Sequence, residues 1–163
     1  MVEPSASPGR WLFRATVANK AGAMTSIASA FSNRGISIDS IVGHGAEETP
    51  GDTGTVLVTF RCTEEEKEIL SREIRRLSKV LRLEEHVYRE DYLRKGVILL
   101  IKPEATDSHL MESNKAVTWE LIKDELIGRT YFLSGPPYQV DPIVERLIAD
   151  GSVLDVVYAI VTL

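Results

Sequence analysis

The chain has 163 residues, of which 44% are hydrophobic, and its 19 Lys and Arg against 24 Asp and Glu give a formal net charge of −5. This composition is typical of a soluble globular protein, the acidic balance argues against a nucleic-acid-binding role, and no apolar run approaches the roughly 20 residues of a membrane span. The lone Cys62 excludes an internal disulfide and a cysteine metal site, and it favours a reducing, cytoplasmic setting.

The N-terminal region begins with a tail and then a strand and a helix. Residues 1–10 are rich in proline and serine and lack an apolar segment, which predicts a flexible tail without a secretory signal. Trp11 to Ala18 alternates between apolar and polar residues and predicts a strand. Ala23 to Arg34 has an apolar stripe at helical spacing, and Gly35 is the residue type that commonly closes a helix.

The next segments complete a βαββαβ order. Three more strands are predicted at Ile36 to Gly43, Thr55 to Cys62 and Leu81 to Val87. Before the last of them, Thr63 and Glu66 have the spacing of a capping box and predict the start of a second helix. This order is that of the ferredoxin-like split motif.

The second half is predicted to repeat the order. It offers strands at Val97 to Ile101, Val117 to Leu121, Thr130 to Leu133 and Val153 to Thr162, and a weak helix between Glu104 and Ser113. A further helix is predicted to have Asp141 as its cap and Pro142 in its first turn, and to end at Gly151. The segment Lys115 to Ile127 also fits a helix, and this alternative stays open. The predicted fold class is α+β, with two ferredoxin-like domains in tandem at residues 11–90 and 93–163.

Two segments of the first half resemble a known family. Residues 19–23 read Asn-Lys-Ala-Gly-Ala, and residues 31–41 read Phe-Ser-Asn-Arg-Gly-Ile-Ser-Ile-Asp-Ser-Ile. They resemble the Asn-x-x-Gly-x turn and the Phe-Ser-x-Arg-Gly-Tyr-Asn-Ile-Glu-Ser-Leu stretch in the regulatory small subunit of acetohydroxyacid synthase (acetolactate synthase). The resemblance continues at Gly96 to Lys102, at Gly135 and at Asp141 to Ala159.

The chain departs from the family pattern at two places. Ser37 replaces the family's asparagine with a shorter hydrogen-bonding group, and Thr53-Gly54-Thr55 stands where the family usually has Ser-Arg-Met. Both departures concern the identity of a bound effector.

The resemblance implies an N-terminal ACT domain in a non-catalytic regulatory subunit of a thiamine-diphosphate-dependent synthase. Its implied partners are a second copy bound through the ACT domain, the catalytic subunit and a branched-chain amino acid, with no cofactor. The effector-binding residues implied by the resemblance are Asn19, Ala21, Gly22, Ala23, Ser37 and Ile38. The alternative is a stand-alone tandem ACT-type amino-acid sensor that regulates another enzyme or a transcription regulator.

Residue chemistry at the first strand-helix junction supports either a binding role or a structural one. Gly22 lies where the unpaired N–H groups of a helix start collect and can hold an anion. In the structural interpretation Asn19 only makes an Asx-turn and Gly22 only satisfies a special backbone angle. No catalytic motif occurs, and His44, His86 and His109 have no metal-ligand spacing, so neither catalysis nor a metal site is predicted.

Overall fold

Two compact units, Met1–Tyr88 and Arg89–Leu163, make up the chain. The computed structural model describes residues 8–18, 21–45, 47, 49, 51–90, 92–105 and 115–161. Each unit contains one four-stranded sheet in which all neighbouring strands are antiparallel. The predicted α+β class with tandem ferredoxin-like folds is confirmed. Over this described part, no helix is long and apolar enough to span a membrane.

The first unit follows the order βαββαβ. Its elements are β1 Gly9–Ala18, α1 Ala23–Asn33, β2 Ile38–His44, β3 Thr53–Cys62, α2 Glu64–Arg75 and β4 Val80–Val87. The strands are arranged β2-β3-β1-β4, so β1 is central and β2 and β4 are the edges. Each crossover helix therefore connects two strands that are consecutive along the chain but not neighbours in the sheet, as the split motif requires.

Local signals fix the ends of the two helices. The Thr63 hydroxyl accepts a hydrogen bond from the Glu66 N–H at 3.2 Å, and the Glu66 carboxylate accepts one from the Thr63 N–H at 2.8 Å. This confirms the predicted capping box at the start of α2. After α1, Gly35 has a φ of +67° and its N–H donates to the Ser32 carbonyl, so the predicted glycine stop is also confirmed.

The core of the first unit lies between its sheet and its two helices. Phe13, Phe31 and Phe60 come from β1, α1 and β3, and each is at most 1% exposed. The Phe60 ring meets those of Phe13 and Phe31 edge-on, with centroids 4.7 Å and 4.9 Å apart. This aromatic cluster anchors α1 on the sheet, because burying such rings is strongly favourable. Phe31 holds the C-terminal end of α1, and the buried Ala23 and Ile27 hold its N-terminal half.

The second unit repeats this arrangement. Its described elements are β5 Arg94–Ile101, β6 Thr118–Glu125, β7 Gly128–Gly135, α3 Pro137–Ala149 and β8 Val153–Val161. The strand arrangement β6-β7-β5-β8 matches that of the first unit. The weak helix predicted between Glu104 and Ser113 falls mainly on residues 106–114, which lie outside the described residues.

Two predictions in the second half are settled by contacts distant in sequence. The helical alternative for Lys115 to Ile127 is wrong, because β6 pairs with β7 from Thr118 to Glu125. Asp141 is not a helix cap, since α3 begins at Pro137 and includes Pro142. The Asp141 carboxylate instead accepts a hydrogen bond from the largely buried Lys95 Nζ at 2.5 Å. This ion pair joins α3 to β5.

Candidate functional site

A cleft of about 280 Å³ opens in the first unit, where the ends of β1 and β2 and the start of β3 meet the first turn of α1. Its lining residues come from these four elements and the connections between them. They are Val17, Ala18, Gly22, Ala23, Met24, Gly43, His44, Gly45, Gly54, Thr55 and Val56. The volume is close to the lower end, about 300 Å³, of small-molecule sites in proteins.

Glycines give the cleft its shape. Gly22, Gly43, Gly45 and Gly54 all line it and leave backbone groups open to an occupant. A Cβ on Gly54 would lie 2.9 Å from the His44 carbonyl oxygen, and a Cβ on Gly43 would collide with the Met24 side chain. Larger residues at these two positions would therefore displace the walls.

The N-terminal end of α1 supplies positive potential. Gly22 is the N-cap residue, with φ +84° and ψ +6°, and it has no side chain that could cap the helix. Its carbonyl accepts hydrogen bonds from the Ser26 N–H at 3.0 Å and the Ser26 hydroxyl at 2.9 Å. The N–H groups of the first helical turn have no acceptor within the helix, and together they attract negative charge.

The Lys79 side chain contacts the turn that precedes α1. Its Nζ donates a hydrogen bond to the Ala21 carbonyl oxygen at 2.7 Å, and a Cβ placed on Gly22 would lie 2.9 Å from the same nitrogen. The Lys79 backbone carbonyl accepts a hydrogen bond from the Ala18 N–H at 2.9 Å. The sequence gives no local signal for this contact, because it joins positions 58 residues apart.

The structure brings only some of the predicted effector-binding residues together. Gly22 and Ala23 line the cleft, and Ala21 precedes them. Ser37 is exposed just before β2, and Ile38 packs against the core at the beginning of that strand. The cleft lies at the other end of β2, so within one chain these two residues are separate from it. Asn19 lies outside the described residues.

The remaining candidate groups have structural surroundings. Burial raises the pKa of the Cys62 thiol to about 11, as expected of an unreactive packed cysteine. Within the ranges that the structure describes, no cluster of His, Cys, Asp or Glu side chains could hold a metal ion. The cleft thus combines backbone donors and apolar walls with a lysine close by.

A βαββαβ unit whose strands are arranged β2-β3-β1-β4 is a ferredoxin-like domain, here with a cleft at its first helix. Residues 13–82 match the family model described as the AHAS small subunit-like ACT domain, where AHAS is acetohydroxyacid synthase. Over these residues the N-terminal unit matches an ACT domain of this kind, which confirms the resemblance found in the sequence.

One solved structure is similar in fold over both units, and a second is reported beside it. The acetolactate synthase small subunit from Thermotoga maritima is 20% identical to this chain, with a TM-score of 0.71, and the match covers 93% of this chain and 94% of that one. The regulatory subunit of aspartate kinase from Thermus thermophilus is 12% identical with a TM-score of 0.47, covering 90% and 95% of the two chains. No curated protein sequence matches the chain significantly.

Proposed function

We propose that this protein is a non-catalytic regulatory subunit of the acetohydroxyacid synthase type, which binds a branched-chain amino acid in the cleft beside α1. The observation that carries the proposal is the glycine-lined cleft at the uncapped start of α1, within a domain that matches the AHAS small subunit-like family. The similarity of fold to the Thermotoga small subunit over nearly the whole chain supports the same role.

The chemistry of the cleft fits the two ends of such an effector. The carboxylate of the amino acid accepts hydrogen bonds from the N–H groups at the start of α1. Its branched side chain packs against the apolar wall formed by Val17, Met24 and Val56. A free amino acid has few atoms, so its Kd is expected in the micromolar to millimolar range.

A second copy of the chain completes the proposed site. β2 is an edge strand, and edge strands present unpaired backbone groups to a partner. At about 3.3 Å per residue, Ser37 lies roughly 20 Å along the chain from Gly43. Ser37 and Ile38 therefore contribute to an effector site only if a partner's β2 places them beside it, which is why the proposal includes a homodimer formed through the ACT domain.

Regulation then follows from differential binding. A ligand shared between two copies changes how they pack, and it can shift the equilibrium only by its difference in affinity for the two arrangements. The catalytic, thiamine-diphosphate-dependent subunit senses that change through its contacts with this chain. Co-purification with that subunit, and a change in its activity on adding this chain with and without valine, test this part of the proposal.

Calorimetric titration of the purified chain with L-valine, L-leucine and L-isoleucine tests the effector site. The key variant is Gly22→Asp, which places a carboxylate at the α1 start beside Lys79. It should abolish binding, because the new negative charge cancels the positive potential there and repels the ligand's own carboxylate. Gly151→Asp is the matched control, because Gly151 also has a left-handed φ, +75°, with nothing within 4 Å of its Cβ position.

The outcomes separate the alternatives. Loss of binding in Gly22→Asp with retention in Gly151→Asp supports the site, whereas unchanged binding in Gly22→Asp places the effector elsewhere. If the wild-type chain binds an amino acid but neither binds nor affects the catalytic subunit, the protein is a stand-alone sensor for a different target. If it binds none of the three amino acids, the proposed effector class is wrong.

A further inference from the structure

The peptide that joins Ala21 to Gly22 is held from one side by Lys79. The Lys79 Nζ donates to the Ala21 carbonyl oxygen at 2.7 Å, while the Lys79 backbone is itself fixed to Ala18 at the end of β1. Lys79 immediately precedes β4, and its side chain is half-buried. The contact therefore joins the turn before α1 to the neighbouring edge of the sheet.

This contact determines the direction of the Gly22 N–H. The peptide bond is trans and planar, so the C=O and N–H of one peptide point in opposite directions. In the sheet, β4 lies on one side of β1, and β3 and β2 lie on the other. Since the Ala21 carbonyl points to Lys79 on the β4 side, the Gly22 N–H points to the side of β3 and β2, where the cleft lies.

From this geometry we infer that Lys79 is a positioning residue for the effector site, a role that rests on the proposed function of the cleft. The lysine holds the Ala21–Gly22 peptide so that the Gly22 N–H joins the N–H groups of the first turn of α1 in one donor set. Its ammonium also adds a full positive charge behind that set, which strengthens hydrogen bonds to a carboxylate.

Lys79 acts on the cleft by positioning a peptide and not by contacting the ligand. A lysine that contacted the carboxylate directly would have to lie within the cleft, but Lys79 does not line it. Lys79 instead acts through the peptide that it holds. Without the lysine, the Ala21–Gly22 peptide is free to rotate, because glycine tolerates both signs of φ.

Variants of Lys79 test the positioning role. Lys79→Met removes the donor and the charge but keeps the apolar stem, Lys79→Gln keeps a neutral donor, and Lys79→Arg keeps both donor and charge. Lys123→Met, at an exposed lysine of the second unit, is the control for an equal change in net charge. Lys79→Met should weaken binding of L-valine, L-leucine or L-isoleucine about tenfold, because a hydrogen bond to a charged donor is lost. Lys79→Arg should restore most of the affinity.

A measurement without ligand distinguishes positioning from general destabilisation. In a weakly aligned, ¹⁵N-labelled chain, the residual dipolar coupling of the Gly22 N–H reports the direction of that bond relative to β1–β4. We expect a changed coupling in Lys79→Met, the wild-type value in Lys79→Arg and Lys123→Met, and unchanged couplings in the strands of every variant. If Lys79→Met fails to fold, Lys79→Gln takes its place: its side chain is uncharged and one heavy atom shorter, so a changed Gly22 coupling is expected there too, and the wild-type value would overturn the inference.

The dipolar coupling and the binding affinity test the role of Lys79 and the proposed function separately. An unchanged Gly22 coupling in Lys79→Met overturns the inference, whether or not any amino acid binds. Wild-type affinity in Lys79→Met also overturns it, while leaving the proposed effector site intact. Absence of binding in the wild-type chain instead contradicts the proposed function, and the dipolar coupling still decides whether Lys79 orients the peptide.

Discussion

Cys62 illustrates how neighbours in space determine the chemistry of a single residue. In the sequence it precedes a helix start, a position that can lower the pKa of a thiol. In the structure it is 4% exposed, and burial, together with the nearby carboxylates of Glu66 and Glu64, raises its pKa to about 11 despite the opposing charge of Lys67. Packing therefore outweighs the helix start, and Cys62 is a core residue.

Cys62 should consequently resist alkylation in the folded protein. With a free thiol pKa of about 8.5 as reference, the thiolate fraction at pH 8 is lower by a factor of about 100 or more in the folded chain. We expect iodoacetamide to modify Cys62 at least about 100-fold more slowly in buffer than in denaturant, as followed by mass spectrometry. Equal rates in the two solvents would show that the thiol is accessible and ionised.

Only part of the candidate site could be predicted, because some of its residues give no local signal in the sequence. Gly22 and Ala23 were found because a glycine between a strand and a helix is a local signal. Lys79, Gly43 and Gly54 gave no such signal, since their roles depend on the strand order that brings β2, β3 and β4 around β1. Sequence reasoning predicts the donors of a helix start but not the side chain that orients them.

For the helices and strands, the accurate predictions rest on hydrogen bonds between residues close in sequence. The capping box of α2 and the glycine after α1 were predicted because their hydrogen bonds join residues three positions apart. β6 was ambiguous because almost all its side chains are exposed and Trp119, Ile122 and Leu126 also match helical spacing. Only the pairing with β7 decides, and it joins residues on two strands, up to 16 positions apart, which the periodicity of one segment does not report.

The contact between α2 and β4 carries the pH dependence expected of the first unit. Burial alone would raise the pKa of Glu85, but hydrogen bonds from Ser71 and Arg75 and the charge of Lys67 together lower it. Ser71 is itself buried, and the Arg75 Nη2 lies 2.9 Å from a Glu85 carboxylate oxygen. Ionised Glu85 thus links the helix to the strand.

Glu85→Gln should make the first unit less stable at neutral pH and less sensitive to acid. A lowered folded-state pKa gives stability that is complete above the unfolded value of about 4.3 and is lost as pH falls through the folded-state pKa. We expect the free energy of unfolding of the wild type to fall between about pH 5 and pH 3. That of Glu85→Gln should fall by up to about 1 kcal/mol less over the same range. Urea denaturation across this range measures the difference, with Glu68→Gln on the exposed face of α2 as control. Parallel curves for wild type and Glu85→Gln would contradict the assignment.

At the scale of the whole molecule, each unit has a hydrophobic core of its own. One core includes Phe60 and Leu70, and the other includes Leu99 and Leu133, with no shared members among the described residues. The chain has two tryptophans, Trp11 packed against the first core and Trp119 against the second. Each tryptophan therefore reports the folding of one unit.

We expect core truncations to act on one unit only. Leu70→Ala and Leu133→Ala each remove a leucine that is 0% exposed, which typically costs about 2–5 kcal/mol. In urea, Leu70→Ala should lower the midpoint reported by Trp11 in a Trp119→Phe background and leave that of Trp119 unchanged in a Trp11→Phe background. Leu133→Ala should show the reverse. Distant mutations without shared partners act independently. A shift of both midpoints by either variant would therefore mean that the two units unfold together. The division into domains at residues 11–90 and 93–163 would then not describe units of independent stability.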